Sequence, residues 1–502
     1  MQSKLSIQVL TFIAFALFLV MPFAVLSGSV GVELVLLLAI QILLTVVVAA
    51  RLGDLLNPIV FTLAAWTYLY AFQPLIYVYA GDIVANPLSP DEAVLVARFS
   101  TVAAVLMVAG YFIPFIWRSA TALLPNRTFL FRPWNDGRAL LIFLVAYALI
   151  WLNRLVSLFE GGFFHVPLED AAGSLTLYRV SNYIFSSGAT GNGIFVVAIL
   201  GVLAAFRPSR KIYGLLFTVL VVETAVSLIS GWRSFLPLAA VSALFIYNNA
   251  RTSIRMSRLV GVAVLVAVVM FPIRQIIFAY RLNTADIAAQ PSVETVTFYM
   301  RSALESFLDA TADPTSYMEL TYSSLLVLDA PNNLAAMLNA VPKYLDYDLG
   351  RTIILPVVRY PLEIFGASRD TILDTNVHNL VARRFGLTSP YEYTVNVTVP
   401  VHGELYINFG LMGVAFGMCL LGGIYRAITM YFSPIRSESG CFLHFIVWYF
   451  WVLLGTYLSL GTLISHTVIK LLIFTGVLYL LVLPGNKDVR NSWSGSSAFE
   501  NR

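Results

Sequence analysis

Long apolar runs separated by short polar segments dominate this chain of 502 residues. A helix that crosses the hydrocarbon core of a bilayer needs about 20 largely apolar residues. The pattern therefore predicts an all-α polytopic membrane protein. Its expected spans, about twelve with the eighth short, are 7–26, 32–50, 59–80, 93–117, 139–158, 183–206, 212–229, 235–247, 259–279, 405–425, 442–460 and 466–483. No small-x-small cleavage site follows the first run, so we expect it to be an uncleaved helix rather than a signal peptide.

One polar stretch, 280–402, is too long for an ordinary connection, because loops beyond about 12–15 residues are either functional or disordered. It carries apolar residues at helical spacing within 296–308 and further apolar runs at 322–328 and 333–340. Asn332 is expected to cap the helix of the last run. We therefore predict a mainly helical loop subdomain at 280–402. It separates spans 1–9 (1–279) from spans 10–12 (403–484), which a tail at 485–502 follows.

Composition supports the membrane class and orients the chain. Only 12% of the residues are charged, whereas soluble domains carry about 25%. If the N-terminus is in the cytoplasm, the basic residues fall in the cytoplasmic loops. The short loops on the outer side then have almost no basic residues. We therefore expect both termini in the cytoplasm and the large loop in the periplasm. The net charge of +4 reflects this bias, and it gives no reason to expect a nucleic-acid partner.

Arginines occupy the predicted outer ends of several spans, where an unpaired guanidinium costs roughly 2.5–3.5 kcal/mol on insertion scales. These arginines are Arg98, Arg154, Arg233, Arg274 and Arg281. Arg grips phosphate through a planar, two-pronged fork. The pattern favours an anionic, phosphate-bearing lipid handled at the outer face, although Arg233 beside Trp232 also fits a snorkelling anchor. Glu223 is expected to form a structural ion pair with one of these arginines.

A second group of chemistry-bearing residues opens the tenth span. His402 and Glu404 lie where the chain enters the membrane from outside, and Glu404 shares a helix face with Asn408. A carboxylate that is partly desolvated there is a candidate general base. The alternative is an acid placed at a helix N-terminus for its dipole. His378 in the loop is a third candidate base.

These segments also resemble a known family. Residues 403–413, with the letters GELYINFGLMG, resemble the "G-E-x-Y-x-N-F-G-x-x-G" signature of bacterial oligosaccharide repeat unit polymerases, the Wzy-type O-antigen and exopolysaccharide polymerases. Residues 349–361, LGRTIILPVVRYP, are similar to the family's "G-x-T…P-R-x-x-P" stretch, with Arg359 at its arginine. Residues 231–234, GWRS, resemble the "G-S-R" turn. His402 is placed like the His of the related O-antigen ligases.

The resemblance implies a membrane glycosyltransferase of the GT-C class, embedded in the bacterial inner membrane among its lipids. Its substrate would be sugar repeat units on undecaprenyl pyrophosphate, with no nucleotide sugar, metal or other cofactor. The expected base is Glu404, then His402. The expected pyrophosphate ligands are Arg233, Arg281, Arg359, Arg351, Arg274, Arg98 and Arg154. A chain-length regulator and a flippase are possible partners. An O-antigen ligase and a lipid-glycan transporter stay open as alternatives.

Overall fold

The computed structural model describes residues 28–54, 56–80, 88–122, 134–159, 193–230, 235–250, 292–325, 329–364, 376–389, 397–432, 437–455 and 459–477, with scattered positions between 254 and 287. Within these ranges the chain is helical and contains no strand. The helices of the first half are α1 Gly28–Leu52, α2 Pro58–Ala80, α3 Pro90–Phe112, α4 Pro114–Ala122, α5 Asp136–Phe159, α6 Ile194–Phe206, α7 Arg210–Ile229 and α8 Phe235–Ala250. Those of the second half are α9 Val293–Ala312, α10 Pro314–Leu325, α11 Ala330–Ala340, α12 Arg351–Ile364, α13 Val377–Arg384, α14 Val401–Phe432, α15 Glu438–Trp448 and α16 Leu460–Val477.

Five of the described helices are long and apolar enough to cross a membrane: α1, α2, α3, α7 and α14. This is the pattern of a polytopic helical membrane protein. The expected spans at 59–80 and 212–229 coincide closely with α2 and α7. The first expected span, most of the ninth and the tail at 485–502 lie outside the described residues, so the total of twelve spans stays a prediction.

Local sequence explains where several helices begin and end. Ser89 and Glu92 form a capping box at the start of α3, with Pro90 in the first turn. The predicted span 93–117 is wrong at its far end, because α3 stops at Phe112 and a new helix starts at Pro114. Proline lacks the amide hydrogen that would continue the helix.

The centre of the molecule is the contact between α3 and α14. Gly110 of α3 lies so close to α14 that an added Cβ would stand 1.9 Å from the Cys419 carbonyl oxygen. Gly422 of α14 lies equally close to the Met107 carbonyl oxygen of α3, again at 1.9 Å from a built Cβ. Small residues let helix backbones approach in this way. The two helices therefore share one core with the residues of α2, α6 and α15 that pack around them.

The two ends of the helices differ in charge. Arg98 of α3 pairs with Glu33 of α1 near the first residues of both helices, whereas Arg51 at the end of α1 lies over the ring of Phe112 at the end of α3. The end with Arg51 also holds Arg426 against Tyr111. Arg51 and Arg426 therefore lie at one end of the helices, and the assignment of that end to the cytoplasm stays a prediction.

The opposite end is covered by part of the large loop subdomain. The helix expected within 296–308 is confirmed as α9, and the run at 333–340 lies in α11. The predicted cap Asn332 is wrong, because α11 starts earlier, with Asp329 before it and Pro331 in its first turn. Asn339 of α11 donates to Glu92 at 2.8 Å, which fixes α11 over the start of α3.

Candidate functional site

Helix α14 is interrupted two turns after it begins. Gly410 has φ +65° and ψ −157°, a backbone conformation that glycine adopts at little cost. At this break, loop amides replace helical amides as donors. The carbonyl oxygens of Ile407 and Asn408 accept hydrogen bonds from the amides of Asp348 (2.9 Å) and Leu349 (3.2 Å). The loop thus takes the place of the missing helical hydrogen bonds.

The side chain of Asn408 locks the same junction. Its Oδ1 accepts from the amide of Gly350 at 2.8 Å, and its Nδ2 donates to the Thr352 hydroxyl at 2.6 Å and to the Glu404 carbonyl at 2.8 Å. Asn408 and Thr352 are both buried, so each bond forms away from water and an unmatched partner would be costly. Segments 349–352 and 403–408, far apart in sequence, are therefore one hydrogen-bonded unit.

Glu404 is fully buried beside this unit. Its carboxylate accepts a hydrogen bond from the Leu460 amide at the start of α16, and the Gly461 amide and the Thr352 hydroxyl also lie against it. A carboxylate is favoured at a helix N-terminus, where free amides point outward. Glu404 thus lies at the N-termini of two helices, α14, which carries it, and α16, whose amide it accepts from.

His402 is enclosed by aromatic rings. The ring centroids of Trp66, Tyr70 and Phe99 lie 4.4, 4.8 and 5.8 Å from that of His402, and Ser100 Oγ lies 3.2 Å from Nε2. The residue is fully buried. These contacts pack the start of α14 against α2 and α3. They leave no exposed side of the His402 ring for a substrate.

His378 has a different environment, at the start of α13. Its Nδ1 lies 2.8 Å from the Val397 carbonyl oxygen, and since a carbonyl only accepts, Nδ1 carries the hydrogen and Nε2 keeps its lone pair. Among the described residues, the buried Nε2 atom has no hydrogen-bond partner. Burial and, to a lesser extent, the charge of nearby Arg359 lower the pKa of His378 below its usual value. The ring is thus a neutral proton acceptor at neutral pH.

The predicted ring of outer arginines is corrected at two positions. Arg154 donates to both carboxylate oxygens of Glu223, at 2.7 and 2.6 Å, and both residues are buried. Arg98 pairs with Glu33 on an exposed surface. A carboxylate therefore balances each of these charges, and the expected structural pair at Glu223 is confirmed.

The other predicted phosphate ligands are distributed as follows. Arg359 lies near His378, Arg274 lies near the Tyr68 hydroxyl, and Arg351 is exposed at the first turn of α12. Arg233, with its segment 231–234, and Arg281 lie outside the described residues. The structure adds a pair that no sequence pattern indicated. Arg384 donates to the Asp348 carboxylate and holds the loop that meets α14.

No group of three or more His, Cys, Asp or Glu residues is placed to hold a metal ion in the part of the chain that the structure describes. A scan of family models and searches of curated proteins and of solved structures found no match to this chain.

Proposed function

We propose that this protein is a membrane glycosyltransferase that polymerises oligosaccharide repeat units carried on undecaprenyl pyrophosphate, at the periplasmic face of the bacterial inner membrane. One observation carries the proposal: the two segments that resemble the Wzy-type polymerases meet through Asn408. The amide of Gly350 and the hydroxyl of Thr352 both bond its side chain. Residues that serve one reaction must be held together, and two unrelated chance matches would have no reason to share a buried hydrogen-bond network.

The charge chemistry supports an anionic leaving group. Arg351 and Arg359 are both carried by α12, the helix that starts at this junction. Arg233, Arg274 and Arg281 complete the proposed pyrophosphate site from the sequence pattern. A guanidinium held in place before the reaction stabilises negative charge that develops on the departing diphosphate. Arg98 and Arg154 have no part in this site, because carboxylates already balance them.

Among the three candidate bases the environment favours His378. Glu404 is fully buried with its carboxylate on the amide of Leu460, and His402 is enclosed by rings. Each of the three has a buried atom without a hydrogen-bond partner among the described residues, namely Glu404 Oε1, His402 Nδ1 and His378 Nε2. His378 differs because it is partly exposed, whereas the other two are fully buried, and because its Nδ1–H is fixed on the Val397 carbonyl. In the proposed reaction the acceptor hydroxyl oxygen bonds to the anomeric carbon of the donor glycan. The bond from that carbon to the phosphate oxygen breaks, its electron pair leaves with undecaprenyl pyrophosphate, and His378 takes the hydroxyl proton. Glu404 and Asn408 act as positioning residues.

The test is reconstitution of the purified protein in liposomes with lipid-linked repeat units extracted from the host bacterium. A ladder of products that differ by one repeat supports the proposal. If no ladder forms, the polymerase assignment fails. Glycan transfer to added lipid A core, without a ladder, would instead identify a ligase, and movement of the lipid-linked glycan across the bilayer without new bonds would identify a transporter.

Two matched variants test the site itself. Arg359→Gln should lower turnover by about 100-fold or more, since removal of one preorganised donor to a developing charge costs roughly 2.7–4 kcal/mol. Arg98→Gln, the same change at an exposed arginine paired with Glu33, should leave turnover within about twofold of the wild type. Equal losses in both variants would remove Arg359 from the proposed site.

A further inference from the structure

Helix α12 exposes its apolar side and turns its polar side towards the protein, the reverse of a helix at a water-facing surface. Ile354, Val357 and Val358 are 59%, 46% and 43% exposed. On the opposite side, Thr352 is buried and Arg359 lies towards His378. Arg351, in the first turn, is exposed on the apolar side, where a long arginine side chain can extend to the lipid headgroups. A helix at a water-facing surface buries its apolar stripe and exposes its polar one. This arrangement places the apolar stripe outside, which is stable where the surroundings are hydrocarbon.

The neighbouring loop meets α14 in the outer part of that helix. Asp348 and Leu349 bond the carbonyls of Ile407 and Asn408, six and seven residues after α14 begins at Val401. At 1.5 Å per residue this contact lies about 10 Å along the helix axis. Helix α14 is one of the candidate membrane spans, and the hydrocarbon core is about 30 Å thick. The 32 residues of α14 extend over about 48 Å, which is longer than this core. The contact therefore lies in the outer third of the helix, and the exposed apolar residues beside it indicate whether hydrocarbon surrounds it.

The outer faces of the two elements have the same chemistry. Just past the contact, α14 exposes Leu411, Met412 and Phe416. Loop residue Leu349 is likewise exposed, and Gly350 lies against the Phe409 ring of α14, which a Cβ would meet at 3.4 Å. The lipid-facing stripe of α14 thus adjoins the loop and α12.

The loop backbone also meets the condition for entering a membrane. Irregular backbone is tolerated at membrane depth only where protein groups satisfy its hydrogen bonds. The amides of Asp348, Leu349 and Gly350 all donate to α14, and the amide of Arg351 donates to the Asp348 carbonyl at 3.0 Å. Arg384 neutralises the Asp348 carboxylate.

We propose that residues 346–364 form a re-entrant segment of the membrane, and that acyl chains of the bilayer lipids cover the face made by Leu349, Ile354, Val357 and Val358. Just before it, Lys343 and Tyr344 are exposed, with the Lys343 ammonium 4.8 Å from the centre of the Tyr344 ring. Such residues are typical of the membrane–water interface. The inference does not depend on the proposed reaction, and it moves α12 out of the expected periplasmic loop.

The test uses nitroxide labels on single cysteines, after Cys419→Ala and Cys441→Ala, in liposomes of phosphatidylethanolamine and phosphatidylglycerol. Val357→Cys and Val358→Cys carry the label on the proposed lipid face. Phe416→Cys, exposed on α14, is the lipid reference, and Thr311→Cys, exposed on α9, is the water reference. Collisions with oxygen report lipid, and collisions with a water-soluble nickel chelate report water.

We expect the ratio of oxygen to nickel accessibility at 357 and 358 to match the ratio at 416 and to exceed that at 311. Accessibility to oxygen should fall at Leu355, which faces the protein. A ratio at 357 and 358 equal to that at 311 would overturn the proposal. Low accessibility to both reagents would also overturn it, because protein rather than lipid would then cover this face. If one labelled variant does not fold, Ile354→Trp replaces it, with quenching by brominated lipids as the readout.

Discussion

Arg154 and Glu223 form a buried ion pair between α5 and α7, with two hydrogen bonds of 2.7 and 2.6 Å. Side-chain exposure is only 10% for Arg154 and 1% for Glu223. Charges so enclosed are tolerated only while each has its partner. The pair therefore explains how an arginine can occupy an apolar helix without a ligand.

Glu223→Gln should destabilise the protein by about 3–5 kcal/mol, because it leaves the guanidinium buried without a counter-charge. Replacement of both residues by Met should recover much of this loss, since no charge then remains to be desolvated. Thermal unfolding of the detergent-solubilised variants measures both effects. A double variant as unstable as the single one would contradict the unpaired buried charge as the cause of the loss.

The environment of His378 gives a prediction for the pH dependence of the proposed reaction. Burial and Arg359 hold the pKa of His378 below its usual value of 6.5, and the base acts in its neutral form. Turnover should therefore fall only below that value as the pH is lowered. Arg359→Gln removes a positive charge that disfavours the protonated ring, so the acid limb of its residual activity should move to higher pH.

The pH profile of turnover in proteoliposomes checks this shift. Arg351→Gln is the control, because Arg351 is exposed at the other end of the same helix and should change the rate without moving the limb. An unmoved limb in Arg359→Gln would exclude His378 as the titrating base.

Residue types and spacing could indicate His378, His402 and Glu404 as candidates, but they could not rank them. The ranking depends on which groups from other helices surround each residue. The rings of Trp66 and Tyr70 reach His402 from α2, and the Leu460 amide reaches Glu404 from α16. Such long-range contacts leave no signature near the residue itself.

At the scale of elements, the α3–α14 contact depends on glycines. Gly422→Ala should destabilise the protein by about 1–3 kcal/mol, because the added methyl group would overlap the Met107 carbonyl oxygen. Gly214→Ala is the matched control. Gly214 lies within α7 with nothing within 4 Å of a built Cβ, so alanine there should be neutral or stabilising by up to about 1 kcal/mol. Thermal midpoints of the two variants in the same detergent make the comparison, and equal midpoints would contradict the close packing.

The hydrophobic pattern predicted α2 and α7 almost to the residue. A long apolar run bounded by polar residues can enter a membrane only as a helix, and the polar residues mark its ends. It failed where helices break. Pro114 was a readable stop for α3. Gly410 was not readable as a stop, because glycine serves equally for close packing, as Gly422 does. The interruption is seen only in the structure, in the backbone angles of Gly410 and in the loop amides of residues 348–349 that bond α14 there.

At the scale of the whole molecule, the charge asymmetry between the two ends predicts orientation. Arg51, Arg207 and Arg426 belong to one end, where Arg207 also bridges Asp136 and Glu438. The positive-inside tendency assigns this end to the cytoplasm. In a cysteine-free background, an impermeant maleimide added to spheroplasts should label Thr311→Cys, whereas Arg210→Cys should react only after permeabilisation. The reverse labelling would invert the predicted topology.

Composition and loop charge were enough to predict this broad organisation, since both follow from the energetics of the bilayer alone. The position of the large loop relative to the membrane was not predictable in the same way. Residues 346–364 look like any polar-and-apolar loop in sequence, and their lipid-facing stripe is visible only once Thr352 is seen to be buried.

The junction at Asn408 also constrains how this protein can be rebuilt. Because the amides of residues 348–350 complete the hydrogen bonding of α14, a foreign loop grafted between the ninth and tenth spans would strand these carbonyls in hydrocarbon, at several kcal/mol for each unsatisfied group. Chimeras meant to exchange sugar specificity should therefore be cut outside residues 346–352, with this short stretch inherited together with the helix it completes.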